Sequence, residues 1–323
     1  MSDAPAPAAP PAEAATTGGP RPSAALPSTA RTWLLAIRPA TLPAAASGVV
    51  VGLGAALAVG APFRADRALA CLVVALLLQV LANLANDLSD FRRGADTPDR
   101  AGPTRVAAAG LVTPRQLEVA IAAVIGLAGL VGLWLAWVGG PVILGLGALA
   151  VVAALAYTGG PWPYGYRALG EVFVFVFFGL VAVVGTAYLQ ALRMDQLFVV
   201  AAIPAGALIT AILVVNNLRD IATDRAAGKR TLAVILGRER TTVEYALLLG
   251  AAYAVPVVLL VAGGGVAQLL PLLSAPLVGP LLRVARGFGK PGELNAVLKG
   301  TARLALVFGL LFAAALALRG WPA

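Results

Sequence analysis

No histidine occurs among the 323 residues, and cysteine appears once, as Cys71. The first absence removes the commonest general base and the His-ligated zinc and haem sites. The second rules out an intrachain disulfide and any cluster of thiolate metal ligands. Metal chemistry in this chain must therefore use oxygen ligands. Charge is scarce as well: 12% of residues are charged, 60% are hydrophobic, and Asp and Glu together number 15. A soluble domain carries roughly 25% charged and 45–50% apolar residues, so water is not the main solvent here.

What the chain has instead is long apolar runs. Read between charged or Pro/Gly punctuation, they predict nine spans, at about 40–60, 67–88, 115–138, 141–158, 170–190, 197–217, 243–262, 266–283 and 302–319. Many reach the ~20 residues a helix needs to cross a hydrocarbon core. The fold expected is all-α: a polytopic protein of the lipid bilayer, with about nine transmembrane helices bundled around a central cavity. The Gly139, Gly140, Pro141 turn pinches the fourth span, and Pro271, Pro276 and Pro280 interrupt the eighth. Residues 1–30 are rich in Ala and Pro and lack a continuous apolar stretch, which predicts a disordered tail rather than a signal peptide, ahead of a membrane domain over 31–323. Gly48 and Gly52 stand four apart on one helical face, a spacing that chance supplies readily in a chain with 36 glycines.

The net charge of +9 does not point to nucleic acid, because the basic residues are scattered over short loops between apolar spans. With the N-terminus inside, 20 of the 24 Lys and Arg fall on the cytoplasmic side; only Arg64, Arg67, Arg193 and Arg319 fall outside. That asymmetry is what the positive-inside rule requires of a multi-pass cell-membrane protein.

Against such an economy of acids, two clusters stand out. The second span ends in LANLANDLSDFRRGAD, with Asn83, Asn86, Asp87 and Asp90, and Asp96 in the loop beyond. At helical periodicity the four lie within roughly a 100° arc and can face one cavity. The sixth span ends in VVNNLRDIATDRAAGKR, where Asn216 and Asn217 precede Asp220 and Asp224, a helical turn apart. Both clusters end even-numbered spans, so they share a membrane face. Carboxylates held close together repel unless a cation sits among them. Mg²⁺ suits hard oxygen ligands and is typically held by one or two carboxylates plus substrate phosphate oxygens. Arg92, Arg93 and Arg105 follow the first cluster, and Arg225, Lys229 and Arg230 the second, in places suited to a diphosphate. Arg92, Arg93, Arg238 and Arg240 equally satisfy the loop-charge rule alone.

A transporter or channel also carries intramembrane carboxylates, but its sites usually lie near the midplane, whereas both clusters here sit at span ends on one membrane face beside Arg and Lys. Alcohol phosphotransfer at the membrane is disfavoured by the lack of an Asp-Gly-x-x-Ala-Arg element.

The runs NLANDLSD and DIATD resemble the two Asp-rich motifs of the UbiA-type intramembrane prenyltransferases, which end the second and sixth of nine helices around a cavity open sideways to lipid. Gly94 stands where the first motif commonly has its last Asp, and Asp96 is the substitute. The segment from Tyr157 to Gln190 is similar to the branch that prenylates 1,4-dihydroxy-2-naphthoate. The resemblance implies a polyprenyl diphosphate donor, an aromatic acceptor and Mg²⁺. Asp87, Asp90, Asp96, Asp220 and Asp224 would then hold metal. Lys229, Arg230 and Arg105 would meet the diphosphate charge, with Asn83, Asn86 and Asn217 assisting. Tyr157, Tyr164, Tyr166 and Phe173 are candidates for the acceptor or for cation–π contact, although tyrosines at a helix end also suit the membrane interface. Another acceptor, such as 4-hydroxybenzoate, stays open.

Overall fold

The computed structural model of the protein describes residues 28–95 and 101–318. Most of the expected tail and Asp96 lie outside them. Among the described residues there are helices and turns and no strand.

The chain enters through a short helix α1, Thr29–Ile37, capped by Ser28 Oγ, which accepts from the Arg31 amide at 3.4 Å. The hydropathy reading missed α1 because it is too short and mixed to register as a span. Arg38, at φ 55°, turns the chain into α2, Leu42–Ala58. Then follow α3 (Ala65–Arg92), α4 (Pro114–Gly139), α5 (Pro141–Ala156), α6 (Gly170–Ala191), α7 (Gln196–Ala226), α8 (Leu232–Gly264), α9 (Val266–Gly287) and α10 (Pro291–Leu318). Eight candidate spans are long and apolar enough to cross a membrane, the first being α1 and α2 together; α5 is the shorter apolar helix. The predicted spans are all present as helical segments.

Local signals explain most boundaries. Thr113 and Gln116 form a reciprocal capping box with Pro114 in the first turn, so α4 starts sharply. Gly140, at φ 84°, permits the reversal into α5. Asp195 caps α7 by accepting from the Leu197 amide at 2.9 Å, and Thr231 caps α8. The helices outrun the apolar runs at their polar ends: α3 continues to Arg92, α7 to Ala226, and α10 begins at Pro291 rather than near 302. The prolines of the eighth span leave Val266–Leu277 wound as tight three-residue turns, and only Val278–Gly287 is α-helical.

Helix α7 is the buried centre, and α2, α6, α8 and α10 pack around it. Without a hydrophobic force between helices in lipid, close approach of small residues drives association. Gly48 and Gly52 do this against α6: a methyl group on Gly52 would meet the Val183 carbonyl at 2.5 Å, and one on Gly48 the Phe178 carbonyl at 2.8 Å. Their spacing is packing, not chance. Gly179 of α6 meets Gly206 of α7 in the same way. On the outside, Leu130, Trp137, Leu247 and Val261 are exposed, as lipid-facing side chains must be.

Candidate active site

A cavity of about 630 Å³ runs between α2, α3, α4, α5, α6 and α7. Its wall is polar at one end, with Asp90, Arg105, Asp220, Asp224 and Lys229, and apolar toward Cys71, Leu135, Ile143 and Leu189. Along α3 alone the lining from Cys71 to Asp90 covers about 28 Å at helical rise. The two acidic helix ends do share one pocket.

Asp90 is the hub of the polar end and is nearly fully buried. Arg105 Nη2 donates to its Oδ2 at 3.0 Å, Lys229 Nζ lies 3.2 Å from its Oδ1, and the Tyr166 hydroxyl donates to Oδ1 at 3.1 Å. Lys229 belongs to the tight turn after α7, where Gly228 adopts φ 71° and the Lys229 amide donates to the Asp224 carbonyl. Its ammonium also sits 4.9 Å from the Tyr166 ring centroid and 3.8 Å from Asp224 Oδ1. Tyr166, a candidate for cation–π contact or the acceptor, adds to that contact a hydroxyl bond to Asp90. Burial, and then the Asp90 charge, pushes its phenol up from the ordinary value, which keeps the O–H in place as a donor.

Across the cavity Asp220 is clamped by Arg219, whose Nε and Nη2 reach its two oxygens at 2.8 and 2.6 Å. The same guanidinium donates to Asn216 Oδ1 at 2.7 Å and Asn295 Oδ1 at 2.8 Å. Sequence reading counted Arg219 only as a loop charge. Its place inside the motif NNLRD, one turn after Asn216, was the available signal. The tie to Asn295 on α10 had none.

Asp87 departs from expectation. Its oxygens accept from the backbone amides of Val106 and Ala107 at 3.1 and 3.4 Å, Arg38 stands 3.9 Å away, and it does not line the cavity. The reason is geometric, since Asp87 lies at the edge of the predicted arc and turns toward the loop after α3. Asn83 lines the cavity, but its amide hydrogens go to the Ile37 carbonyl at 2.8 Å and Thr41 at 3.1 Å, tying α1 to α3. The side chain of Arg230 is exposed and off the cavity; only its amide contributes, donating to the Tyr166 carbonyl at 3.1 Å. Asn86 does face the cavity, and its Oδ1 accepts from Thr158 at 3.0 Å, while among the described residues its amide hydrogens make no hydrogen bond. Arg92 pairs with Glu118, and Arg93 donates to the carbonyls of Thr158 and Gly160, so both are structural.

Tyr157, Tyr164 and Phe173 form an aromatic wall. Tyr164 stacks on Phe173 at 4.0 Å and meets Tyr157 edge-on at 5.3 Å. The Tyr164 hydroxyl donates to the Ala153 carbonyl at 2.9 Å, so its role is to build the wall. Glu171, given no role by the sequence, takes a hydrogen bond from Asn217 at 2.9 Å.

Among the described residues no three acidic side chains form a preformed metal cluster. Arginine and lysine balance the carboxylates instead. The donor set is nonetheless all hard oxygen and lies on the cavity wall, which suits a divalent cation that arrives with a phosphate.

Fold and site together define a multi-pass membrane protein with a cavity that is charged at one end and apolar along the rest. The UbiA prenyltransferase family model matches residues 46–296, and the chain belongs to that family. It is 45% identical over 289 residues to the 1,4-dihydroxy-2-naphthoate octaprenyltransferase of Mycobacterium tuberculosis, covering 88% of this chain and 96% of that protein. Against the Escherichia coli K12 protein of the same name the identity is 38% over 298 residues, covering 90% and 96%. The solved structure of a UbiA homolog from Archaeoglobus fulgidus bound to GPP and Mg²⁺ superposes with a TM-score of 0.62 at 14% identity, covering 88% of this chain and 99% of that one.

Proposed function

We propose that the protein transfers a polyprenyl group from its diphosphate to 1,4-dihydroxy-2-naphthoate, releasing diphosphate and CO₂ and giving demethylmenaquinol, a step of menaquinone synthesis. The observation that carries this is the near full-length identity to proteins of that name. The cavity supports it, because one end suits a diphosphate and the rest an isoprenoid chain.

Asp90, Asp220 and Asp224 would hold Mg²⁺, which supplies charge neutralisation to the departing diphosphate. Lys229 and Arg105, both paired with Asp90 on the cavity wall, would meet the negative charge that develops as the allylic C–O bond breaks. The Asn86 amide hydrogens add a neutral donor. The apolar wall keeps water from the allylic carbon. The ring carbon bearing the carboxylate forms the new C–C bond, and the electron pair of the carboxylate bond returns to the ring as CO₂ leaves. Aromaticity is thereby restored without a base to remove a ring proton, in keeping with a chain that has no histidine. We place the protein in the cell membrane with the polar end cytoplasmic, on the strength of the 20 to 4 charge division.

The test is turnover in isolated membranes given a polyprenyl diphosphate and either the naphthoate or 4-hydroxybenzoate, with Mg²⁺ or chelator. Product from the naphthoate with Mg²⁺ alone is expected. Equal product in chelator would refute the metal requirement, and turnover of 4-hydroxybenzoate alone would refute the acceptor.

A further inference from the structure

Glu171 is a buried acid in a membrane helix that the mechanism does not use. It sits in the first turn of α6, where the free amides of a helix start favour a negative charge. One oxygen accepts from Asn217 Nδ2 at 2.9 Å, while the other, Oε2, is buried with no partner. A glutamine would serve as well for simple packing. Asn217 does line the cavity, and among the described residues its Oδ1 takes no hydrogen bond. With its nitrogen donating to Glu171 Oε1, the Asn217 amide has its oxygen left for the cavity.

The place it faces is beside the aromatic wall. Gly170, next to Glu171, lies so close that a methyl group there would be 3.5 Å from the Tyr157 hydroxyl and 3.2 Å from Leu213, one turn before Asn217. We infer that Glu171 is a positioning residue for the acceptor: it holds the Asn217 carbonyl beside Tyr157, where that oxygen accepts a hydrogen bond from a ring hydroxyl of the aromatic substrate. The inference rests on the acceptor reading above.

A reciprocal exchange tests it in full-length protein in nanodiscs with Mg²⁺, a polyprenyl diphosphate and the naphthoate. Asn217→Asp sets carboxylate against carboxylate and is expected to raise the acceptor KM about tenfold or more, with donor KM and Mg²⁺ half-saturation within about twofold. Adding Glu171→Gln restores the pair with donor and acceptor reversed, leaving an oxygen toward the cavity, and should bring the acceptor KM back to within about threefold of wild type. Lack of rescue, or a change that falls on the donor or on Mg²⁺, overturns the role. If Asn217→Asp does not accumulate, Glu171→Leu is read instead: the acceptor KM must rise while the donor KM holds, and an unmoved acceptor KM overturns it. Wild-type protein that fails to prenylate the naphthoate overturns the function as well, a result distinct from normal turnover with unaffected variants.

Discussion

Asp87 and Asp90 stand three residues apart on α3, yet the cavity receives only one of them. Asp90 gathers Arg105, Lys229 and Tyr166, whereas Asp87 anchors the loop that carries Arg105 through the amides of Val106 and Ala107. The two should separate in kinetics. Asp90→Asn keeps an acceptor oxygen for Arg105 and Lys229 but removes the charge that balances them, so beside a stability cost of up to roughly 3–5 kcal/mol it is expected to lower kcat by about 10²–10³ in the folded fraction. Asp87→Asn keeps one amide acceptor and should instead raise the donor KM through a loosened Arg105, with the Mg²⁺ requirement unmoved. Steady-state titrations of donor and Mg²⁺ on the two variants decide it, and a shifted Mg²⁺ requirement in Asp87→Asn would return that residue to the metal. Helical periodicity made the acid pair legible. It did not resolve which member of a ~100° arc faces inward, since that depends on the rotation of α3 against a loop about twenty residues on. Arg219 was hidden for the same reason, because its value comes from reaching Asn216, Asp220 and Asn295 together.

Among the elements, hydropathy located every span, because lipid forces each crossing segment to be an apolar helix that satisfies its own backbone. It placed the polar ends poorly, since a helix continues through charged residues as readily as through apolar ones. The widened π-helical stretch Phe175–Val181 in the middle of α6, which brings Phe177, Phe178 and Val181 to the cavity, left no mark in the sequence. The glycine spacing on α2 did leave one, and its meaning emerges only against α6. Gly52→Leu would drive a side chain into the Val183 carbonyl and Thr186, which should cost at least about 1–3 kcal/mol. Gly250→Leu on α8 adds the same group at an exposed position with nothing within 4 Å. Thermal unfolding in detergent should show a lower Tm for the first and none for the second; equal Tm values would remove the close α2–α6 contact as a source of stability.

For the whole molecule, the cavity's polarity matters only in relation to the two sides of the membrane. A diphosphate made in the cytoplasm reaches Asp90 and Asp220 without crossing lipid only if the ends of α3 and α7 face inward. The 20 to 4 division of Lys and Arg argues for that orientation, and the single buried Cys71 makes it measurable. With Cys71→Ala as background, Glu239→Cys sits at the start of α8 on the polar side, and Gly60→Cys sits in the turn between α2 and α3 on the opposite side; both positions are exposed. An impermeant maleimide added to right-side-out vesicles should label the cysteine at 60 and spare the one at 239, and inverted vesicles should reverse the pattern. The opposite result would set the carboxylates at the outer face, and the charge asymmetry would then need another cause.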